Sequence, residues 1–294
     1  MNEFKDQVFT DERSLFGLSD ARLFGCNFEK GESPLKQSRG ITTEVCNFSY
    51  KYPLWYSKDI TMKGGTFFQN ARAGIWYSDN VTMSDHVIIG PKNFRRCHEV
   101  TIENTLFTDA KETLWYCSDV FLKDVNAKGD YFAMGCNNIE VRNLTLDGNY
   151  SFDGCRNVVV RDSRLLSKDA FWNCEDVTIF DSYICGEYIA WNSKNVRLIG
   201  CTIESLQGLC YVEDLVLERC NLPHTTLAFE YSKGIKADIN GSISSIFNPG
   251  SGSITCDRVE ELIIEKDKVD PGQTQIVCKT IDKKSDIIDW NGRY

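Results

Sequence analysis

The sequence predicts an all-β fold, a single-stranded parallel β-helix of about twelve turns, from three observations. An aliphatic residue recurs roughly every nineteen residues. Apolar and polar residues alternate around it with the period of a strand that buries one face. The segments are also too short and too β-branched for amphipathic helices.

The recurring aliphatic follows Asn, Asp, Glu or Gly and stands at Ala21, Ile41, Ile60, Val81, Val100, Val120, Ile139, Val158, Val177, Val196, Leu215 and Ile235. Successive anchors lie 19 to 21 residues apart. A turn that short holds a few brief strands and cannot bury its own face, so turns must stack. At about 4.8 Å per turn, twelve turns give a rod on the order of 55 Å long.

The columns of the stack follow from the anchors. Two residues later stand Leu23, Met62, Met83, Ile102, Leu122 and Val141; seven later stand Phe28, Phe48, Phe67, Ile88 and Phe107; six earlier stand Leu54, Ile75, Phe94, Leu114 and Phe152. These columns are expected inside. The residue before the anchor is Asp20, Asp59, Asn80, Glu99, Asp119, Asn138, Asn157, Asp176, Asn195 or Asp214, and a second polar ladder runs through Asp85, Asn104, Asp124, Asn143, Asp162 and Asp181. Asn and Asp tolerate left-handed backbone and bond their own main chain, as a tight corner requires.

One domain is expected over 1–294, with an N-terminal cap at 1–17, coils at 18–242, and a C-terminal cap and tail at 243–294. Open rod ends expose strand edges, which caps normally cover. Within the last segment, 259–265 and 275–278 read as strands, separated by the turn at Asp270-Pro271-Gly272.

With 294 residues, 42% hydrophobic and 26% charged, the chain can bury a large core. Its net charge of −9 and absence of basic clusters argue against nucleic acid and anionic membranes as partners. No apolar run reaches membrane-spanning length. If Met1 is the native start, the expected location is the cytoplasm.

Thirteen cysteines are an odd number, and their spacing follows the coil. Cys97, Cys117, Cys136, Cys155 and Cys174 fill one column, where Ser57, Ser78, Ser193 and Ser232 also occur. That exchange reads as a small buried residue with a free thiol. No CxxC pair occurs, and neither metal nor cofactor is expected. Calcium would relieve the like charge of stacked Asp162 and Asp181, but so do solvent, Arg161 and Arg164.

Five residues before the anchor the chain carries Trp55, Trp76, Arg95, Trp115, Met134, Asp153, Trp172, Trp191, Cys210 and Glu230, and the next column adds Tyr56, Tyr77, Arg96, Tyr116, Asn173, Asn192, Tyr211 and Tyr231. Adjacency to an inward column predicts that the tryptophans line one exposed face, and exposed aromatic rows need a reason. Flat rings among amides, carboxylates and cations suit a sugar chain. Trp76, Trp115, Trp172, Trp191, Arg95, Asn173, Asn192 and Lys168 are therefore the expected substrate-binding residues. The alternative is that the tail or a second copy of the chain packs on these rings.

Asp153, between Met134 and Trp172 in its column, is the first candidate catalytic acid, because apolar neighbours desolvate the charged form. Asp130, Asp169 and Glu187 are the other candidates. A carboxylate pair across a groove is what glycoside hydrolysis uses.

The turns Trp55-Tyr56-Ser57-Lys58-Asp59-Ile60-Thr61, Trp76-Tyr77-Ser78-Asp79-Asn80-Val81-Thr82 and Trp115-Tyr116-Cys117-Ser118-Asp119-Val120 resemble those of the pectin lyase-like right-handed parallel β-helix superfamily, and within it a bacterial family of unknown function. The resemblance covers roughly 18–242. It implies a right-handed coil and polysaccharide or oligosaccharide substrates. The NTD, DD, GHG and RIK signatures of polygalacturonase-like members are absent, so no catalytic residue carries over. Two expectations result: a glycoside hydrolase with a Trp-lined groove, or a non-catalytic carbohydrate-binding or assembly rod.

Overall fold

The anchors fall on strands that pair in parallel with the strands one turn away, anchor opposite anchor. A computed structural model describes residues 2–287 and divides into two compact units, Met1–Arg156 and Asn157–Tyr294. Met1 and residues 288–294, the end of the expected tail, lie outside the described residues.

In the first unit Ile41 faces Ile60, Ile60 faces Val81, Val81 faces Val100, Val100 faces Val120 and Val120 faces Ile139. Eight long strands form this ladder, from Asn2–Lys5 to Asn137–Asp147. In the second unit Val177 faces Val196 and Val196 faces Leu215. Seven strands, from Arg156–Arg161 to Thr274–Val277, continue that pattern.

The chain is therefore an all-β parallel solenoid of about 15 turns rather than twelve. The three unforeseen turns lack a recognisable anchor. Asn2 occupies the anchor position opposite Ala21, Gly252 stands opposite Ile235, and Ile276 follows Ile254 by 22 residues instead of nineteen. The strand at Arg258–Ile263 pairs on both sides, with Ser242–Phe247 and Thr280–Ser285.

Every anchor and every residue named above two after, seven after and six before it is buried. Phe28 and Phe48 stack with ring centroids 4.8 Å apart and planes parallel. Each such side chain contributes about 1.5–3 kcal/mol by leaving water. The corners are left-handed as their residue types predict: φ is 56° at Asp59, 51° at Asn80, 58° at Asp85 and 54° at Asn143. Corner side chains also bond along the ladder, Asn80 Nδ2 to Asp59 Oδ1 at 2.9 Å and Asn143 Nδ2 to Asp124 Oδ1 at 2.7 Å.

The serine and cysteine column has a more specific task than filling space. Ser57 Oγ donates to Leu35 O at 2.9 Å, Ser193 Oγ to Phe171 O at 2.7 Å and Cys136 Sγ to Leu114 O at 2.7 Å. The same atoms accept from the turn before: Cys174 N donates to Ser193 Oγ at 2.9 Å and Cys117 N to Cys136 Sγ at 3.3 Å. One small bridging group thus satisfies a buried carbonyl and a buried amide at a corner where strand pairing lapses. All thirteen thiols are free. Among the described residues no helix is long and apolar enough to cross a membrane.

Candidate functional site

In each unit the tryptophan column lies between two left-handed residues; φ is 58° at Leu114 and 54° at Tyr116 around Trp115, and 57° at Ala190 and 54° at Asn192 around Trp191. The inner neighbour points into the core and the outer one to solvent, which leaves the tryptophan along the wall. The five tryptophans of this column are half-buried, not fully exposed as the sequence suggests.

In the first unit the reason is in-register stacking. Trp55 and Trp76 lie face to face, 4.9 Å between centroids and 5° between planes. The Arg95 guanidinium then lies 4.5 Å from the Trp76 ring and 4.5 Å from the Trp115 ring, a cation between two π faces. Arg95 Nη2 also meets Glu112 Oε2 at 3.1 Å, and Lys92 Nζ meets Glu112 Oε1 at 3.0 Å. The indole N–H groups of Trp55, Trp76 and Trp115 donate to Ala73 O, Lys92 O and Tyr131 O. The faces of Trp76 and the N–H groups of this ladder are thereby engaged within the protein.

Asp130 and Asp153 also belong to the first unit. Asp130 Oδ1 accepts from Asn149 N at 2.8 Å, a corner bond, and the residue lines a cavity of about 410 Å³ with Asp109, Lys111, Lys128 and Asp147. Asp153 is half-buried beside Met134, with its carbonyl accepting from Gly135 N at 2.7 Å.

The second unit carries Lys168, Asp169, Trp172, Asn173, Glu187, Trp191 and Asn192, and here the rings are splayed. Trp172 and Trp191 are 6.2 Å apart at 35°, Trp191 and Tyr211 4.7 Å at 43°, and Tyr211 and Tyr231 5.5 Å at 48°. Tyr188 meets Trp191 edge to face at 5.2 Å. Trp172, Trp191 and Tyr231 are half-buried and Tyr211 is exposed. Asn192 Nδ2 donates to Asn173 Oδ1 at 2.9 Å beside them.

Backbone conformation explains why Asp169 differs from its column mates. Eight residues before the anchor, Tyr131 and Tyr150 are left-handed, with φ of 60° and 57°. Asp169 and Tyr188, in the same column, instead lie in short paired strands, Asp169–Ala170 and Tyr188–Ile189. The extended backbone carries the Asp169 carboxyl inward: the residue is 2% exposed and its Oδ1 has no hydrogen-bond partner. Burial pushes this carboxyl above its ordinary range; Lys168 opposes the shift and the negative charge of Glu187 adds to it. Lys168 Nζ pairs with Glu187 Oε2 at 3.0 Å.

Sequence reasoning missed Tyr188 and Gln207, and placed Glu230 in the tryptophan column without singling it out. Tyr188 was legible from its column, which also holds Tyr131 and Tyr150. Glu230 is 9% exposed, accepts from Gln207 Nε2, and is raised by burial, with Gln207 and Tyr211 opposing. Burial and the nearby Glu230 push the Tyr211 phenol up to about 12, so it serves as a donor near neutrality. Among the described residues no group of three or more His, Cys, Asp or Glu side chains is arranged to hold a metal ion.

No curated protein matches the chain. Among solved structures it is similar to the surface adhesin PfbA of Streptococcus pneumoniae, at 10% identity over 98% of this chain and 76% of that one, with a TM-score of 0.29. It is similar to the A-module of mannuronan C-5 epimerase AlgE4 of Azotobacter vinelandii, at 11% identity over 98% of this chain and 87% of that one, TM-score 0.28. It is also similar to HetL, a pentapeptide repeat protein of the cyanobacterium Nostoc, at 8% identity over 76% of this chain and 89% of that one, TM-score 0.26. Scores this low carry no inference about function. One family model matches residues 2–277, nearly the whole chain, so the chain belongs to the family described as protein of unknown function (DUF3737).

Proposed function

We propose that the protein binds carbohydrate along the aromatic run of its second unit, Trp172, Trp191, Tyr211 and Tyr231. The observation that carries this reading is the splay of those rings, 35–48° between successive planes, in a run where Trp172, Trp191 and Tyr231 are half-buried and Tyr211 is exposed. Sugar rings stack on aromatic faces, and Asn173, Asn192 and Lys168 supply donors and acceptors for their hydroxyls. Membership in the pectin lyase-like superfamily is part of the same proposal, supported by the parallel solenoid and the Trp-Tyr-Ser turns. A cytoplasmic location agrees with thirteen unbridged thiols.

A second reading, glycoside hydrolysis, is favoured by one specific observation: a buried Asp169 with an unpartnered oxygen beside the ion-paired Glu187. In it Asp169 is the proton-donating acid and Glu187 the second carboxylate of the pair. Asp153 and Asp130, on the first unit, are the alternatives.

A glycan microarray screened with the whole protein tests the first reading, and chromatographic analysis of products from each bound glycan tests the second. Binding without products leaves a carbohydrate-binding solenoid. No binding, together with a dimer by light scattering that Trp191→Glu dissociates, makes the aromatic face a subunit interface and overturns the proposal.

A further inference from the structure

The aromatic run does not continue along the whole ladder. It ends at a cavity of about 520 Å³ lined by Asn192, Tyr211 and Tyr231 on one side, Glu213 and Lys233 beside them, and Lys268–Asp270 across it. That volume lies in the range of small-molecule sites.

The chain makes this wall by spending extra residues in its last turn. Ile254 and Ile276 face each other across 22 residues, three more than the usual nineteen. The surplus turns on Glu265, whose carbonyl accepts from Lys268 N at 2.9 Å and Val269 N at 3.1 Å. Asp270 then closes the segment by accepting from Gly272 N at 2.9 Å.

The segment is also clamped from below. Asn248, fully buried, donates to Glu265 Oε2 at 2.8 Å and accepts from Glu265 N at 2.9 Å. Thr274 Oγ1 donates to Pro249 O at 3.2 Å. On the floor stands Gly250, where a Cβ would meet Ser232 O at 2.8 Å; a side chain there would displace main chain and reduce the space.

The tilted aromatic run and the anchored Lys268–Asp270 segment flank one cavity, a groove with a wall on its far side. We propose that this groove is blind and receives the end of an oligosaccharide chain, with the terminal sugar in the cavity between Tyr231 and Lys268–Asp270; this rests on the carbohydrate reading above. The mixture of Glu213, Lys233, Lys268 and Asp270 offers donors and acceptors of both signs around the terminal hydroxyls, which only a chain end exposes on all sides. A continuous polymer crossing the site would have to pass through the wall.

The experiment compares ligands that differ only in having ends. Linear maltohexaose is set against α-cyclodextrin, and linear against cyclic β-1,2-glucan, by calorimetry and by following tyrosine ring signals in NMR spectra. The expected result is that, in the pair that binds, the linear form is at least tenfold tighter and shifts Tyr211 and Tyr231. Equal affinity for linear and cyclic forms, or tighter binding of the cyclic form, overturns the blind groove and leaves the carbohydrate reading standing. Absence of binding by these and by every glycan of the microarray overturns that reading, and the chain-end inference with it.

Discussion

Trp191 and Tyr211, in adjoining columns of the second unit, meet with centroids 4.7 Å apart and planes at 43°, whereas Trp55 and Trp76, both in the tryptophan column of the first, lie 4.9 Å apart at 5°. The spacing is nearly equal; the angle differs. Parallel rings cover each other's faces more fully than tilted ones. The repeat thus builds a parallel aromatic stack in one unit and a tilted one in the other from the same residue types.

The bridging column predicts an unusual tolerance. Cys136→Ser keeps a group that donates to Leu114 O and accepts from Cys117 N, so its unfolding free energy in urea should stay within about 0.5 kcal/mol of the parent. Cys136→Val fills similar space without the donor, and stranding that carbonyl and amide should cost about 1–3 kcal/mol. Equal midpoints for the two variants would show that the column merely fills space.

Gly65 and His86 face each other on adjacent turns of the first unit. A Cβ on Gly65 would fall 1.9 Å from Cys46 O, and its φ is +117°, so Gly65→Ala should destabilise by at least about 2 kcal/mol. His86 is buried, with Nδ1 bonded to Ser84 O at 2.7 Å and Nε2 unpartnered.

Burial lowers the pKa of His86 from 6.5, with the Ser84 carbonyl and the charge of Asp85 opposing. Below pH 6.5 the unfolded chain takes up a proton that the folded chain refuses, so stability falls as pH drops. Replacing His86 by Thr, the residue at the matching position 105 one turn on, should flatten that slope between pH 6.5 and 5 in thermal unfolding. An unchanged slope contradicts the assignment.

Asp169 has the opposite sign. Its folded-state pKa is raised above 3.8, so the folded chain holds a proton longer than the unfolded one. Stability from this group is greatest at low pH and declines as pH rises from about 3.8 through the folded value. Asp169→Asn should therefore raise stability near neutrality, by about 1 kcal/mol, while leaving it unchanged at pH 3. If the second reading of the function holds, the same variant loses turnover; a variant that is both stable and inactive separates a catalytic acid from a structural one.

The sequence made the core legible because the period repeats in nearly every turn: Val81, Met83 and Ile88 announce the same pleat as Val177, Ile179 and Ile184. The end turns were hidden where Asn2 and Gly252 replace the anchor, since pairing there relies on backbone alone. The site was legible as a set of columns but not as geometry. Nothing in a column reveals whether rings stack flat, as Trp55 and Trp76 do, or splay, as Trp172 and Trp191 do. Nor does it reveal that Asp169 sits on extended backbone where Tyr131 is left-handed. Such differences arise from neighbouring turns, which a single period cannot encode.

Tryptophan fluorescence of the parent protein, Trp191→Ala and Trp55→Ala, titrated with the best microarray glycan, tests the central claim most directly. The account predicts quenching in the parent, at least tenfold weaker binding for Trp191→Ala, equivalent to about 1.4 kcal/mol, and unchanged affinity for Trp55→Ala. Equal loss in both variants, or no loss in Trp191→Ala, would contradict it.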